Sequence, residues 1–110
     1  MSMTLGQHQE AFSKDVTKLL LKAFELGYEA RLGELQRTVE QQEIYVKTNR
    51  SKTMNSMHLK KCAIDIFFVQ DGKLAYPAEL GNYWESLNSL NKAGMFWKTF
   101  KDAPHYERRC

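Results

Sequence analysis

Apolar positions recur at helical spacing along the first quarter of the chain. Phe12, Val16, Leu19, Leu20, Ala23 and Phe24 follow Thr4-Leu5-Gly6-Gln7, which has the spacing of a capping box, and the pattern stops at Gly27. An amphipathic helix with one buried face is expected there. Over 28–35 the period shortens to two, with Tyr28, Ala30 and Leu32 on one side, which predicts a strand with one solvated face. Thr38-Val39-Glu40-Gln41 repeats the capping-box spacing and opens a short polar helix to about Lys47, whose apolar residues are only Val39, Ile44, Tyr45 and Val46. Polar loop follows over 48–56. The run 62–69 is the clearest strand, and the Asp71-Gly72 pair beyond it is a hairpin-turn signal. A third helix is expected over 79–93 through Leu80, Tyr83, Trp84, Leu87 and Leu90, with Gly94 in a C-cap position, and 95–100 and 105–107 can supply short strands. Helices mixed with hairpin-type strands, without repeat or linker, predict an α+β fold: a small, at least partly antiparallel sheet with helices packed on it.

Composition narrows the class. A chain of 110 residues, 43 % apolar and 26 % charged, is expected to form one soluble domain over 1–110. Such a domain buries roughly 60 to 70 per cent of the surface its unfolded form exposes. The formal net charge of +3 biases the surface weakly toward anionic polymers and names no partner. A nucleic-acid binder would share that charge, but there is no Arg- or Lys-rich recognition helix and no aromatic-basic platform, so no nucleic acid is expected. Two cysteines, Cys62 and Cys110, make neither a disulfide framework nor a paired zinc-finger pattern, and reduced thiols are expected. The first residues carry no signal segment and no run is long enough to span a bilayer, which leads us to expect a monomer in the cytoplasm without stable membrane association.

Candidate chemistry begins with Asp65, which lies among apolar neighbours in the 62–69 strand and points away from the side shared by Cys62, Ile64, Ile66 and Phe68. It either faces solvent on an open side of the sheet or is buried and paired, hydrogen-bonded or bound to a metal. His58 is seven residues earlier, an odd separation, so the two converge only if the chain turns at Leu59-Lys60-Lys61. Near the other end, Asp102-Ala103-Pro104-His105-Tyr106-Glu107 sets a second histidine beside two carboxylates. This segment is either a turn before a terminal strand or a third ligand with a base next to it. Two histidines and a carboxylate around an open fourth position are what catalytic zinc needs.

These residues also carry a family resemblance. Ser56-Met57-His58-Leu59-Lys60-Lys61-Cys62-Ala63-Ile64-Asp65 resembles the Ser-x-His-x-x-Gly-x-Ala-x-Asp signature of the D-alanyl-D-alanine carboxypeptidase and phage L-alanyl-D-glutamate endopeptidase family. Asp102-x-x-His105 resembles its second signature. Arg37-Thr38 with Gln42 and Tyr45, and then 50–56, resemble the Arg-Thr-x-x-x-Gln stretch and serine-rich loop of phage endolysins. The similarity spans about 28–108. It implies a hedgehog/DD-peptidase-like fold, one Zn2+ held by His58, Asp65 and His105, and Asp102 as general base. It further implies that Arg37 grips a substrate carboxylate bidentately, that Ser56 shapes the metal loop, and that Glu107 and Gln42 support the site from behind, Glu107 by a hydrogen bond to a ligand histidine. The implied substrate is the peptidoglycan stem peptide, cut at the L-alanyl-D-glutamate bond by a phage or prophage endolysin that stays in the host cytoplasm until it reaches the wall. The alternatives are a D-alanyl-D-alanine carboxypeptidase or a non-catalytic zinc-binding module, as in hedgehog signalling domains. Lys61 stands where the family has glycine, Cys62 reads as a core thiol on the Ile64 and Ile66 face, and 94–100 lacks a Gly-Gly turn, with Trp97 and Phe100 as core or cleft wall.

Overall fold

The computed structural model describes residues 2–51 and 56–110, so the middle of the polar loop expected over 48–56 lies outside the described residues. Helix α1, Leu5–Glu25, starts with the capping box: the Thr4 hydroxyl accepts from the Gln7 N–H and the Gln7 side chain accepts from the Thr4 N–H. It ends at Leu26, followed by Gly27 at φ 89°. Phe12, Leu19 and Ala23 are buried along it, whereas Phe24, expected on that face, is 49 % exposed. Strand β1 is Glu29–Leu32, and α2 is Val39–Lys47, capped by the Thr38 hydroxyl on the Gln41 N–H. Strands β2, Ala63–Gln70, and β3, Lys73–Ala75, form the hairpin that Asp71-Gly72 signals, both turn residues having positive φ as a type I′ turn requires.

Two expectations for the next stretch are corrected. Helix α3 is Ala78–Leu87, six residues shorter at its C-terminal end than expected, and Asn91–Ala93 forms strand β4. Asparagine and serine side chains compete with helical backbone bonds, and here they do so. The Asn88 carboxamide oxygen accepts from the Leu90 N–H, and the Asn91 amide donates to Asp15 Oδ2 at 3.0 Å and to the Trp84 carbonyl at 3.1 Å. Gly94 is therefore not a C-cap. It opens a 3-10 turn, Gly94–Phe96, where a strand was expected. Strand β5, His105–Arg108, closes the fold.

The sheet is antiparallel throughout, in the order β1-β2-β5-β4, with β3 also on β2. This is the expected α+β arrangement, three helices on a small antiparallel sheet. One face carries Ile64, Ile66, Phe68 and Tyr106 into the main core against Phe12, Leu19, Leu80 and Trp84. Trp84 is its hub. Its ring meets Phe12 and Tyr106 edge-on, at 5.6 and 6.0 Å between centroids, and its Nε1–H donates to the Glu107 carbonyl at 3.0 Å. Cys62 lies outside this core, in a second cluster with Met57, Ala63 and Cys110, because the chain turns sharply just before β2. Among the described residues, no helix is long and apolar enough to cross a membrane.

Replacing Trp84 by Ala removes both the ring and the indole N–H that ties α3 to β5. A loss of about 3–5 kcal/mol in urea unfolding is expected, with a smaller loss for Trp84→Phe.

Candidate metal centre

The site lies on the sheet face opposite the main core. β2 and β5 pair Ala63 with Glu107, Ile64 with Tyr106 and Asp65 with His105, so Asp65 and His105 are direct cross-strand neighbours on one face. His58 arrives from a 3-10 turn, Met57–Lys60, whose first N–H groups are capped by the Ser56 hydroxyl, an acceptor for the His58 N–H at 3.2 Å. The turn that the 58-to-65 spacing demands is completed by Lys61 at φ 57°, the left-handed conformation, in the position where glycine was expected. Its N–H bonds back to the His58 carbonyl, and the Cys62 N–H to the Met57 carbonyl.

Each histidine is oriented by its far nitrogen. His58 Nδ1 is 2.8 Å from the Leu35 carbonyl, which can only accept, so in the neutral ring Nδ1 carries the proton and Nε2 can offer a lone pair. His105 Nε2 is 2.7 Å from Glu107 Oε1, leaving Nδ1 toward the cluster. Glu107 in turn accepts from Arg109 Nε at 2.6 Å. The donor atoms His58 Nε2, Asp65 Oδ1 and His105 Nδ1 lie within 4.8 Å of one another. Asp65 Oδ1 is 3.4 Å from His58 Nε2 and 3.6 Å from His105 Nδ1.

Those spacings decide how the cluster is read. Tetrahedral zinc with bonds of about 2.0–2.1 Å needs ligand atoms about 3.3–3.4 Å apart, close to the two separations from Asp65 Oδ1. His58 Nε2 and Asp65 Oδ1 are also buried without a hydrogen-bond partner, a costly state for polar atoms unless an ion fills the gap. The three residues can therefore hold a metal ion.

Charge in the metal-free cluster follows the same geometry. Burial alone would raise the Asp65 carboxyl, but the His105 and His58 rings override it and hold it well below the usual carboxylate range. Burial would lower His105, yet Asp65 and Glu107, with Asp102 behind them, push it up to about 9. Glu107 is lowered, since its bonds to His105 and Arg109 outweigh its burial. Asp102 is raised, by burial first and then by the negative charge of Asp65, against the pull of His105. Its Oδ2 is 3.8 Å from His105 Nδ1, and the side chain is 46 % exposed.

A cleft of about 960 Å³ opens over these groups, lined by Arg37, Ser56, His58, Asp102, His105 and Glu107, with Trp97 and Phe100 in its wall. Trp97 packs on the His105 ring at 5.0 Å between centroids. Arg50, Lys60, Lys98, Lys101 and Arg109 contribute to the same lining and make it cationic beyond the carboxylates. Arg37 stands at its edge but is mostly engaged. Glu34 holds its Nε and Nη2, and Nη1 donates to Gln42 Oε1 at 2.6 Å and to Ser56 Oγ at 3.4 Å. The guanidinium lies over the Tyr45 ring, whose hydroxyl donates to Glu34. One donor remains where the resemblance implied a bidentate fork.

Two contributors escape sequence reasoning. Glu34 is one of many exposed-type acids in the sequence, and only the fold shows that it neutralises Arg37. Gly94 accepts the Asp102 N–H at its carbonyl, and a Cβ there would collide with the Asp102 carbonyl and come within 3.0 Å of His105 Cβ. It is the close approach that seats the 102–105 segment, and a glycine flanked by a helical pattern signals a cap more readily than a packing contact.

No family model and no curated protein matches the sequence. Among solved structures, the crystal structure of the L-Ala D-Glu endopeptidase ChiX of Serratia marcescens is similar in fold, with a TM-score of 0.66 and 19 % sequence identity, over 98 % of this chain and 88 % of that one. The chain thus has the fold of a known peptidase, as the α+β reading anticipated.

Lys61→Gly should keep the turn and relieve its backbone. We expect a gain of up to about 1 kcal/mol in chemical unfolding and unchanged metal binding, whereas Lys61→Val should cost stability.

A metal ion held by this cluster would compete with the proton for His105 Nδ1. Because the pKa of His105 is raised to about 9, the proton stabilises the metal-free fold fully below pH 6.5 and this contribution is lost as pH rises through 9. Zinc affinity should accordingly rise about tenfold per pH unit toward 9 and then level off, measured by competition with a chromophoric chelator; a flat profile would show that no proton is displaced.

Proposed function

We propose that this chain is a zinc-dependent peptidase of peptidoglycan stem peptides, acting on the L-alanyl-D-glutamate bond as a phage or prophage endolysin. The observation that carries the reading is the pair of buried, unpartnered donor atoms, His58 Nε2 and Asp65 Oδ1, 3.4 Å apart beside His105 Nδ1, with both histidines lining an open cleft. The endopeptidase activity for which the structural neighbour is named and the ordered signatures at 56–65 and 102–105 support the same substrate class.

In this reading His58, Asp65 and His105 are the ligands, and a divalent cation bound there supplies Lewis acidity toward a carbonyl oxygen and toward water. Asp102 Oδ2 takes the proton of the attacking water and returns it to the leaving amine. A carboxyl raised by burial is better matched to that exchange than an ordinary aspartate, since a stronger base is available at neutral pH. Glu107 orients His105 and keeps Nδ1 turned toward His58 and Asp65, where it would serve as a ligand. The cationic lining of Arg50, Lys60, Lys98, Lys101 and Arg109 attracts the carboxylates of the stem peptide, and Arg37, braced by Glu34, Gln42 and Ser56, adds a single directed donor to the substrate.

Digestion of purified peptidoglycan, with fragments identified by mass and metal content measured alongside, tests the reading. Fragments ending at L-alanine and about one zinc per chain are expected. Release of terminal D-alanine alone would replace the endopeptidase by a carboxypeptidase.

Asp102→Ala should keep the metal and lose on the order of 10²–10⁴ in kcat, while His58→Ala and His105→Ala lose metal and activity together. Because the Asp102 pKa is raised, wild-type kcat/KM should fall on acidification at a pH above the ordinary carboxylate range; an Asp102→Ala enzyme that remains active would remove this residue from the mechanism.

A further inference from the structure

Behind the metal ligands lies a pair of groups that the proposed reaction does not use. Cys62 is fully buried immediately before β2, and Cys110 is half-buried two residues after β5. Their approach follows from the strand register. The Arg108 N–H donates to the Cys62 carbonyl at 2.8 Å, continuing the β2-β5 ladder by one step, and the Cys110 N–H then donates to the Arg108 carbonyl at 3.1 Å. This two-residue reversal folds the chain back over Cys62. The sulfurs meet at 3.5 Å in a small apolar cluster with Met57 and Ala63.

We infer that Cys62 and Cys110 are a disulfide-forming pair, which closes an intramolecular bond when the protein meets a low-molecular-weight disulfide such as oxidised glutathione. Bond formation needs the sulfurs to close to about 2.05 Å, a shift of roughly 1.5 Å that side-chain rotation at Cys110 can supply. Cys110 lines the cleft and is the sulfur a solution reagent can reach. Its thiolate attacks one sulfur of the oxidant, whose S–S bond breaks and releases one thiol. Cys62 then gives up its proton and displaces the second thiol from the mixed disulfide. Two protein thiols are oxidised, one small disulfide is reduced to two thiols, and the two protons pass to the leaving thiolates. Burial, with Cys110 beside it, pushes the Cys62 thiol up to about 12, which makes its displacement the slower step.

The bond would join two segments that carry ligands. Cys62 is tied through its N–H to Met57, next to His58, and Cys110 follows the strand of His105. Its loop encloses Asp65, Asp102 and His105, so the crosslink removes denatured-state freedom from most of the site.

The test uses the full chain incubated with oxidised glutathione and then alkylated with iodoacetamide. We expect an intact mass lower by two hydrogens, no alkylation, one crosslinked peptide containing Cys62 and Cys110, and a Tm raised by about 10 °C that dithiothreitol reverses. Cys110→Ser should show neither the crosslink nor the shift. A stable glutathione adduct on Cys110, a disulfide-linked dimer, or two alkylated thiols would each overturn the inference.

Discussion

The geometry of the centre is set by three residue pairs in one short ladder, Ala63 with Glu107, Ile64 with Tyr106 and Asp65 with His105. Because side chains alternate across a strand, the pairing that sends Ile64 and Tyr106 into the core places Asp65, His105 and Glu107 on the opposite face. A slip of one residue would bury His105 against Trp84 and expose Tyr106. The hydrophobic core therefore enforces the register, and the register brings two of the three donor atoms together. Trp84 couples the two faces directly, since its indole packs on Tyr106 and its N–H holds the backbone carbonyl of Glu107.

The third donor comes from outside the sheet and depends on a strained turn. His58 reaches the Asp65 face only because the chain reverses through a 3-10 turn and a left-handed Lys61. A left-handed lysine costs on the order of 1–2 kcal/mol, and the neighbouring bonds hold it there: Lys61 N–H to His58, Cys62 N–H to Met57, and the Gln9 amide to the Lys60 carbonyl. The Arg37 N–H also bonds to the His58 carbonyl, so β1's continuation and the metal loop share one backbone frame. The chain stabilises with contacts a conformation that glycine would adopt at lower cost.

Much of this was readable from local chemistry. The two capped helices, the central strand and the Asp71-Gly72 hairpin follow from sequence periodicity and turn residues, because each is determined by neighbours in the chain. The odd spacing from His58 to Asp65 required a turn at 59–61, and it is there. What could not be read depended on distant partners. Asn91 leaves the helical pattern for Asp15 and Trp84, and Gly94 is glycine because the 102–105 segment passes against it. Cys62 was expected on the Ile64 face, but β2 begins only at Ala63, so the thiol lies in a separate cluster. Glu34 carries no signal at all until Arg37 is seen to bind it.

That last pair bears on how the proposed substrate would be recognised. An arginine with an open fork can grip a carboxylate at two points, whereas Arg37 gives Glu34 one edge of its fork and its Nη1 to Gln42 and Ser56. It is rigid, partly neutralised and stacked on Tyr45, all of which make it a wall for the His58 loop. On the proposed reading the charges that would meet an anionic peptide are those of Arg50, Lys60, Lys98 and Lys101 on the rim of the cleft, since Arg109 is bound to Glu107. These are long, mostly solvated side chains, which give attraction without fixed geometry. On the proposed peptidase reading, orientation of the scissile bond would come from the His58, Asp65 and His105 cluster, Asp102 and the single remaining Arg37 donor, with the rim raising the local concentration of anionic substrate.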